Sequence, residues 1–241
     1  MKTNLKWHHL MLFIGLIVFS LTSCVKDDTP DTYYLPTTVK SISSSSYGTT
    51  IHTFNFSYDL NHRIESIYHS YMGTLTLTYN SDDSPNTITS SKKGTYKVEY
   101  AAGRVVGLSY NGNIERPIGY NNKTYSINNE TYQLNSNDDI ENLYGEFLLT
   151  YSKDAGPFRY VNMDESVLAV LIGFLEPYYM ELNYLSSREL LKFEFINGND
   201  YLSYTNYRGE NGMIHSVERF YNSTSGTPDR TFEYTYSEVQ N

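Results

Sequence analysis

A single cysteine in 241 residues, Cys24, rules out an intramolecular disulfide. A domain of this size must then be held together by apolar burial and backbone ladders alone. Long hydrophobic runs are missing too. The longest, Leu10 to Phe19, has ten residues, half of the roughly 20 that a spanning helix needs. Gly-x-Ser-x-Gly, His-Glu-x-x-His, paired Cys/His metal spacings and phosphate-cradling glycine loops are all absent, so no motif points to an enzyme or a cofactor. Basic residues are scarce: 18 Lys and Arg face 27 Asp and Glu, for a net charge of −9. Without a Lys/Arg cluster the chain lacks the electrostatic footprint of a nucleic-acid binder.

What is present begins at the N-terminus. Lys2 and Lys6 precede the apolar run, which has the dimensions of a cleavable export signal. Leu21-Thr22-Ser23-Cys24 follows and resembles the lipobox of bacterial lipoproteins. The resemblance implies a signal peptide over residues 1–23 and a diacylglyceryl group on Cys24, the first residue of the mature chain. Removing those residues, with two lysines and no acid, leaves 218 residues and moves the charge to −11. An acidic domain is repelled by anionic lipid, so the membrane partner is reached through the anchor at Cys24. Two acyl chains suffice for that, where one binds only marginally. Residues 24–36 read as a flexible tether and 37–241 as the folded domain. Lys26-Asp27-Asp28 resembles the surface-export signal of Bacteroidota lipoproteins, which implies a lipid-anchored outer-membrane location on the cell surface.

The mature chain is rich in Tyr, with 25 against 11 Phe and 1 Trp. Phe54-x-Phe56-x-Tyr58, Leu75-x-Leu77-x-Tyr79, Tyr96-x-Val98-x-Tyr100, Leu149-Thr-Tyr151, Phe193-Glu-Phe195 and Phe232-x-Tyr234-x-Tyr236 alternate large apolar with polar residues. Period-2 alternation predicts strands with one buried face. Each run ends in turn chemistry: Asp59-Leu-Asn61, Asn80 to Pro85, Ala102-Gly103, Asp154 to Pro157 and Asn197-Gly-Asn199. A second strand then follows, as at Arg63-Ile64-x-x-Ile67 and Arg104-Val-x-x-Leu108. The result is a degenerate repeat of about 20 residues, one β-hairpin long, whose copies stack as neighbouring strands. The fold class expected is mostly β: a curved antiparallel meander or soluble barrel of repeated hairpins with one short helix. The Tyr stripe reads either as the core-facing side of that sheet or as a binding surface.

The helix is expected from about Asp164 to Phe174. Asp164 or Ser166 supplies an N-cap, a dense apolar run follows, and Pro177 ends it. Being apolar nearly all round it should be buried, plugging one end of the sheet.

Phe56-Ser-Tyr58-Asp59 with Arg63-Ile64 resembles the YD-type repeats of large bacterial surface proteins. With Leu149-Thr-Tyr151, Gly156-Pro157-Phe158 and the hairpin from Met213 through Tyr236, most of residues 36 to 238 resemble a Bacteroidota lipoprotein family of unknown function with a porin-like fold. The resemblance implies a curved antiparallel sheet or barrel and carries no catalytic residues. The Asn-rich segment Asn111 to Asn142 departs from the repeat. A membrane-spanning barrel is disfavoured, because apolar runs of about five residues fall short of the 9–11 that such strands need.

Chemistry-bearing residues are few. His52, His62, His69 and His215 share no spacing, with His52 and His215 on strands and His62 at a turn. Asp82-Asp83 and Asp138-Asp139 are adjacent carboxylates better suited to turns than to acid/base hydrolysis across a cleft. Asn135 to Glu141 has oxygen ligands at alternate positions, as a calcium loop would, but no EF-hand glycine. Two function classes remain: a surface-displayed binding module for glycan or an envelope protein, and a structural envelope protein without a small ligand.

Overall fold

Alternating sequence becomes a ladder of consecutive hairpins. The structure, a computed structural model, describes residues 32–45, 48–127, 130–175 and 185–240. The segment read as a signal peptide, Cys24, most of the segment read as a tether and Pro177 lie outside them. Among the described residues are sixteen strands and one helix. The strands are β1 (Thr32–Ser45), β2 (Gly48–Tyr58), β3 (Ile64–His69), β4 (Gly73–Tyr79), β5 (Pro85–Ser90), β6 (Gly94–Ala101), β7 (Arg104–Tyr110) and β8 (Asn113–Asn121). They continue as β9 (Thr124–Ile127), β10 (Glu130–Leu134), β11 (Ile140–Leu143), β12 (Phe147–Ala155), β13 (Arg188–Phe195), β14 (Tyr201–Arg208), β15 (Ile214–Tyr221) and β16 (Arg230–Gln240). The helix α1 (Glu165–Phe174) interrupts the series between β12 and β13. Each strand pairs antiparallel with its sequence neighbour, and β16 returns to β1, closing a barrel.

This is the barrel branch of the sequence expectation, but three readings need correction. Strand β1 begins at Thr32, inside the segment assigned to the tether, because Leu35 is buried in the core and the Tyr58 hydroxyl holds the Pro36 carbonyl at 2.6 Å. Asn111 to Asn142 is not irregular: it forms β8 to β11 and continues the meander. Its hairpins turn on Asn111-Gly112 and Asn122-Lys123, all four at φ between 47° and 82°, the left-handed pair that a two-residue turn requires. Strand length, finally, is not uniform near five: β1 has 14 residues and β2 and β16 have 11, while the other thirteen strands have four to nine.

The described outward face is mainly polar, although Ile51, Ile114, Leu148 and Leu191 are exposed on it. Spanning barrels carry an apolar belt toward lipid. Here the outward ladder is built of hydroxyls: Ser57 with Ser66 (2.8 Å), Thr78 with Thr87 (2.7 Å) and Thr89 with Thr95 (3.0 Å). Further round, Lys192 pairs with Glu194 at 2.7 Å. The other face is one continuous apolar core with members from Leu35 on β1 to Tyr234 on β16.

We call the end where β1 enters the proximal end. Alternating strands place there the turns 59–63, 80–84, 102–103, 122–123, 135–139 and 209–213, and the long β12–β13 connection. That connection crosses the opening: Phe158 packs edge-on against Phe56, and the Asn162 amide donates to the His62 carbonyl at 2.9 Å. Helix α1 then starts at Asp164, whose carboxylate caps the amides of Ser166 (3.0 Å) and Val167 (2.9 Å). Glu165 pairs with Arg104 at the proximal rim, at 2.7 Å. At the other end of the helix, Arg116 of β8 donates to the Gly173 carbonyl at 2.8 Å, and Phe174 lies near Lys93 of the distal β5–β6 turn. Residues Val167 to Phe174 are all buried. The helix therefore does not plug one end as expected; it runs lengthwise inside the barrel, and its all-round apolar surface is what a filled lumen demands.

Candidate functional site

The Tyr residues that end the repeats turn out to be structural. The last Tyr of each repeat sits where the hairpin leaves the ladder, and its hydroxyl donates to a carbonyl on the preceding strand. Tyr58 reaches Pro36, Tyr79 Ile64, Tyr100 Pro85, Tyr151 Ile140 and Tyr236 Ile214, at 2.5 to 2.7 Å. Register shifts fall at Tyr58, Tyr79, Tyr100 and Tyr151. A bulge breaks the ladder locally, and the Tyr hydroxyl reaches a carbonyl beside it. Burial pushes these phenols up, Tyr100 to about 12 and the other four further.

The remaining letters of the repeat belong to the same device. Asp59 accepts the amides of Asn61 (2.9 Å) and Arg63 (3.0 Å), and His62 closes the turn at φ 60°. Burial pushes the Asp59 carboxyl up, but hydrogen bonds from the Arg63 side chain and from both amides outweigh it and leave the group below the usual range. Arg63 spreads over the Tyr79 ring at 4.2 Å, and Arg104 over Tyr120 at 3.8 Å. Among the described residues, Tyr68, Tyr71, Tyr207 and Tyr221 are exposed, on strands or turns well apart in sequence.

The other sequence candidates resolve in the same direction. Asn135 to Asp139 is a turn of the Asp59 type: Asp138 stands at φ 61°, and the Asn135 side-chain oxygen takes the amides of Asn137 and Asp139. Asp138 pairs with Lys123 at 2.7 Å. Asp139 is buried and accepts the Ser187 amide at 2.7 Å and its hydroxyl at 3.1 Å, with burial pushing its carboxyl up. The oxygens read as calcium ligands are thus spent on the turn and on β13. Asp82 and Asp83 likewise shape the β4–β5 turn, Asp82 accepting the Ser84 amide and Asp83 pairing with Arg63. His52 and His215 are on strands, and His62 is at a turn, as expected. His69 is fully buried, stacked on Phe54 at 4.3 Å.

A concavity among the described residues is large enough for a ligand. At the proximal rim a cleft of about 320 Å³ is lined by Asn137, Lys153, Asp154, Arg159, Ser187 and Arg188, with Ala155 at its edge. Small-molecule sites begin near 300 Å³. Beneath it lies a pocket of about 30 Å³ bordered by Asp139, Tyr151 and Phe158, water-sized rather than ligand-sized.

Three elements hold the cleft. The β10–β11 turn brings Asn137, whose side-chain oxygen accepts from Arg188 at 2.9 Å. The start of β13 brings Arg188, preceded by Ser187, whose amide and hydroxyl are held by Asp139. The end of β12 brings Lys153 and Asp154, then folds back through Gly156, whose amide donates to the Ser187 carbonyl at 2.8 Å. A Cβ at Gly156 would lie under 3.0 Å from backbone atoms of Ser186 and Arg188; only glycine permits that approach. Among the described residues neither Lys153 nor Arg159 makes an ion pair, although other cations of this rim, Arg63, Arg104, Lys123 and Arg208, all do. In a chain of net charge −9, the cleft gathers three cations around one carboxylate.

No protein-family model and no curated protein matches the chain. Solved structures do. A porin-like protein from Bacteroides uniformis is similar over 86% of this chain and 98% of its own, at 13% identity and a TM-score of 0.39. Another, from Bacteroides vulgatus, is similar over 85% and 99%, at 11% identity and a TM-score of 0.42.

Sequence reasoning missed this cleft. Asn137, Arg159 and Arg188 stand far apart in the chain; Asn137 was read only as part of a calcium-like loop, and the two arginines belong to no motif. The one local signal was Asp154-Ala-Gly-Pro157, read as a turn, whose glycine marks the close backbone approach.

Proposed function

We propose that the chain is a lipid-anchored envelope protein displayed at the cell surface, and that its barrel presents a binding site for a hydrophilic ligand, a glycan before a protein, in the proximal cleft. The observation that carries this reading is the charge of Lys153 and Arg159, without an ion pair among the described residues, in a concave site on a barrel whose interior is filled and whose repeat-ending Tyr hydroxyls are committed to the backbone. A filled lumen argues against transport through the barrel. The hydroxyl-lined exterior argues for a water-exposed body, so attachment falls to Cys24 and its lipobox-like surroundings.

Two measurements test it. Radiolabelled palmitate should enter the chain and be lost in Cys24→Ala, and protease added to intact cells should degrade the anchored protein. A soluble glycan panel should then give binding that Arg159→Gln weakens at unchanged melting temperature. The competing reading, a structural envelope barrel, draws on the Tyr–carbonyl bonds and the continuous core; it predicts no saturable ligand and wild-type behaviour of Arg159→Gln.

A further inference from the structure

Resting on the binding-module reading of the proximal cleft, we infer that its ligand is an acidic saccharide, held by a sugar carboxylate between Arg159, Arg188 and Lys153 and by its hydroxyls through Asp154, Asn137 and Ser187.

Size and lining set the class. About 320 Å³ bounded by charged and amide side chains, with Ala155 the one apolar residue, offers an apolar ligand nothing to bury against. The charge then sets the group. Guanidinium forks match a planar carboxylate through two parallel hydrogen bonds. Arg188 is already oriented: one nitrogen is held by Asn137, and the backbone of its neighbour Ser187 is clamped between Asp139 and Gly156. Arg159 and Lys153 are exposed and make no ion pair among the described residues, so both are available to an incoming anion.

Asp154 narrows the class further. A carboxylate in the lining repels a compact polyanion such as free phosphate, yet accepts hydrogen bonds from hydroxyl groups. Ser187 contributes in the same way: its hydroxyl donates to Asp139, leaving lone pairs for a ligand donor. One acid group beside several hydroxyls is the pattern of a uronic acid. The long-range field of this acidic chain opposes anions, so recognition depends on these short contacts and not on steering.

The test uses the full lipidated chain in detergent micelles, titrated calorimetrically with digalacturonate, its dimethyl ester, and inorganic phosphate. Digalacturonate should bind with an affinity that falls as salt is raised. The ester should bind at least tenfold more weakly, and phosphate should give no saturable heat. Arg159→Gln and Lys153→Gln, both at exposed positions, should each weaken digalacturonate binding at unchanged melting temperature. Equal binding of acid and ester, with both variants behaving as wild type, would overturn the acid selectivity while leaving a glycan-binding module standing. Phosphate binding as tightly as digalacturonate would overturn the saccharide assignment. Absence of binding by both sugars would remove this inference and the glycan reading of the cleft together.

Discussion

The Tyr79 hydroxyl donates to the Ile64 carbonyl at 2.7 Å while the guanidinium of Arg63, the residue just before Ile64, lies 4.2 Å over the same ring. One side chain thus satisfies a backbone acceptor at a bulge and supports the cation of the neighbouring turn. Removing the hydroxyl alone leaves a partly buried carbonyl without its donor, which costs about 1–2 kcal/mol. Tyr79→Phe should therefore lower the urea midpoint by that equivalent at unchanged slope, and Tyr100→Phe and Tyr151→Phe should do the same. Three wild-type midpoints would show that these bonds are made equally well by water.

Helix α1 offers a second test. Asp164 caps two amides at its start, and loss of an N-cap costs about 1 kcal/mol. Asp164→Ala should accelerate hydrogen exchange at Ser166 and Val167 by roughly fivefold, the equivalent of that cost, while leaving β7 amides unchanged. Faster exchange along the whole of β5 to β8 would mean that the cap governs the barrel and not the helix end alone.

His69 makes stability depend on pH. Burial first, then the neighbouring charges of His52 and Lys92, pull its pKa from 6.5 to about 4. The unfolded chain binds the proton more readily than the folded one, so this contribution is fully present above pH 6.5 and is lost as pH falls toward 4. Urea midpoints at pH 7 and pH 4.5 should fall further apart in the wild type than in His69→Phe. Equal separations would assign the acid sensitivity to other groups.

Gly156→Ala places a methyl group against the backbone of Ser186 and Arg188. Neither backbone segment has a rotamer with which to yield, so the change should destabilise by several kcal/mol, at the high end for single substitutions. Because the same contact shapes the cleft, digalacturonate binding should weaken even at temperatures where the variant stays folded. Gly119→Ala on β8, outside the cleft and with no atom nearer than 3.4 Å to the added methyl group, serves as the control and should bind normally.

Much of this fold was legible in the sequence because its signals are local. Alternation at Phe54 to Tyr58 or Tyr96 to Tyr100 needs only neighbours two apart, and Asp164 before an apolar run marks a helix start by itself. Asn111 to Asn142 was legible in principle through Asn111-Gly112, but its short strands Thr124–Ile127 and Ile140–Leu143 alternate over four residues, too few to register as a period. Closure of the barrel could not be read, since it depends on β1 meeting β16, nearly two hundred residues on, as in the bond from Thr37 to the Thr235 carbonyl. The cleft was hidden for the same reason: Asn137 and Arg188 are 51 residues apart and adopt no pattern until the hairpins stack.

Strand β1 enters at the rim that carries the cleft. Seven residues lie between Cys24 and Thr32, eight Cα steps that span at most roughly 28 Å of extended chain. For an anchor at Cys24, that leash confines the mouth of the cleft to a shallow layer above the lipid. An envelope glycan rooted in the same membrane would then meet the site at an effective concentration on the millimolar scale, as linked partners do. Modest intrinsic affinity would be enough for near-full occupancy there, while the same sugar free in bulk medium would scarcely be retained.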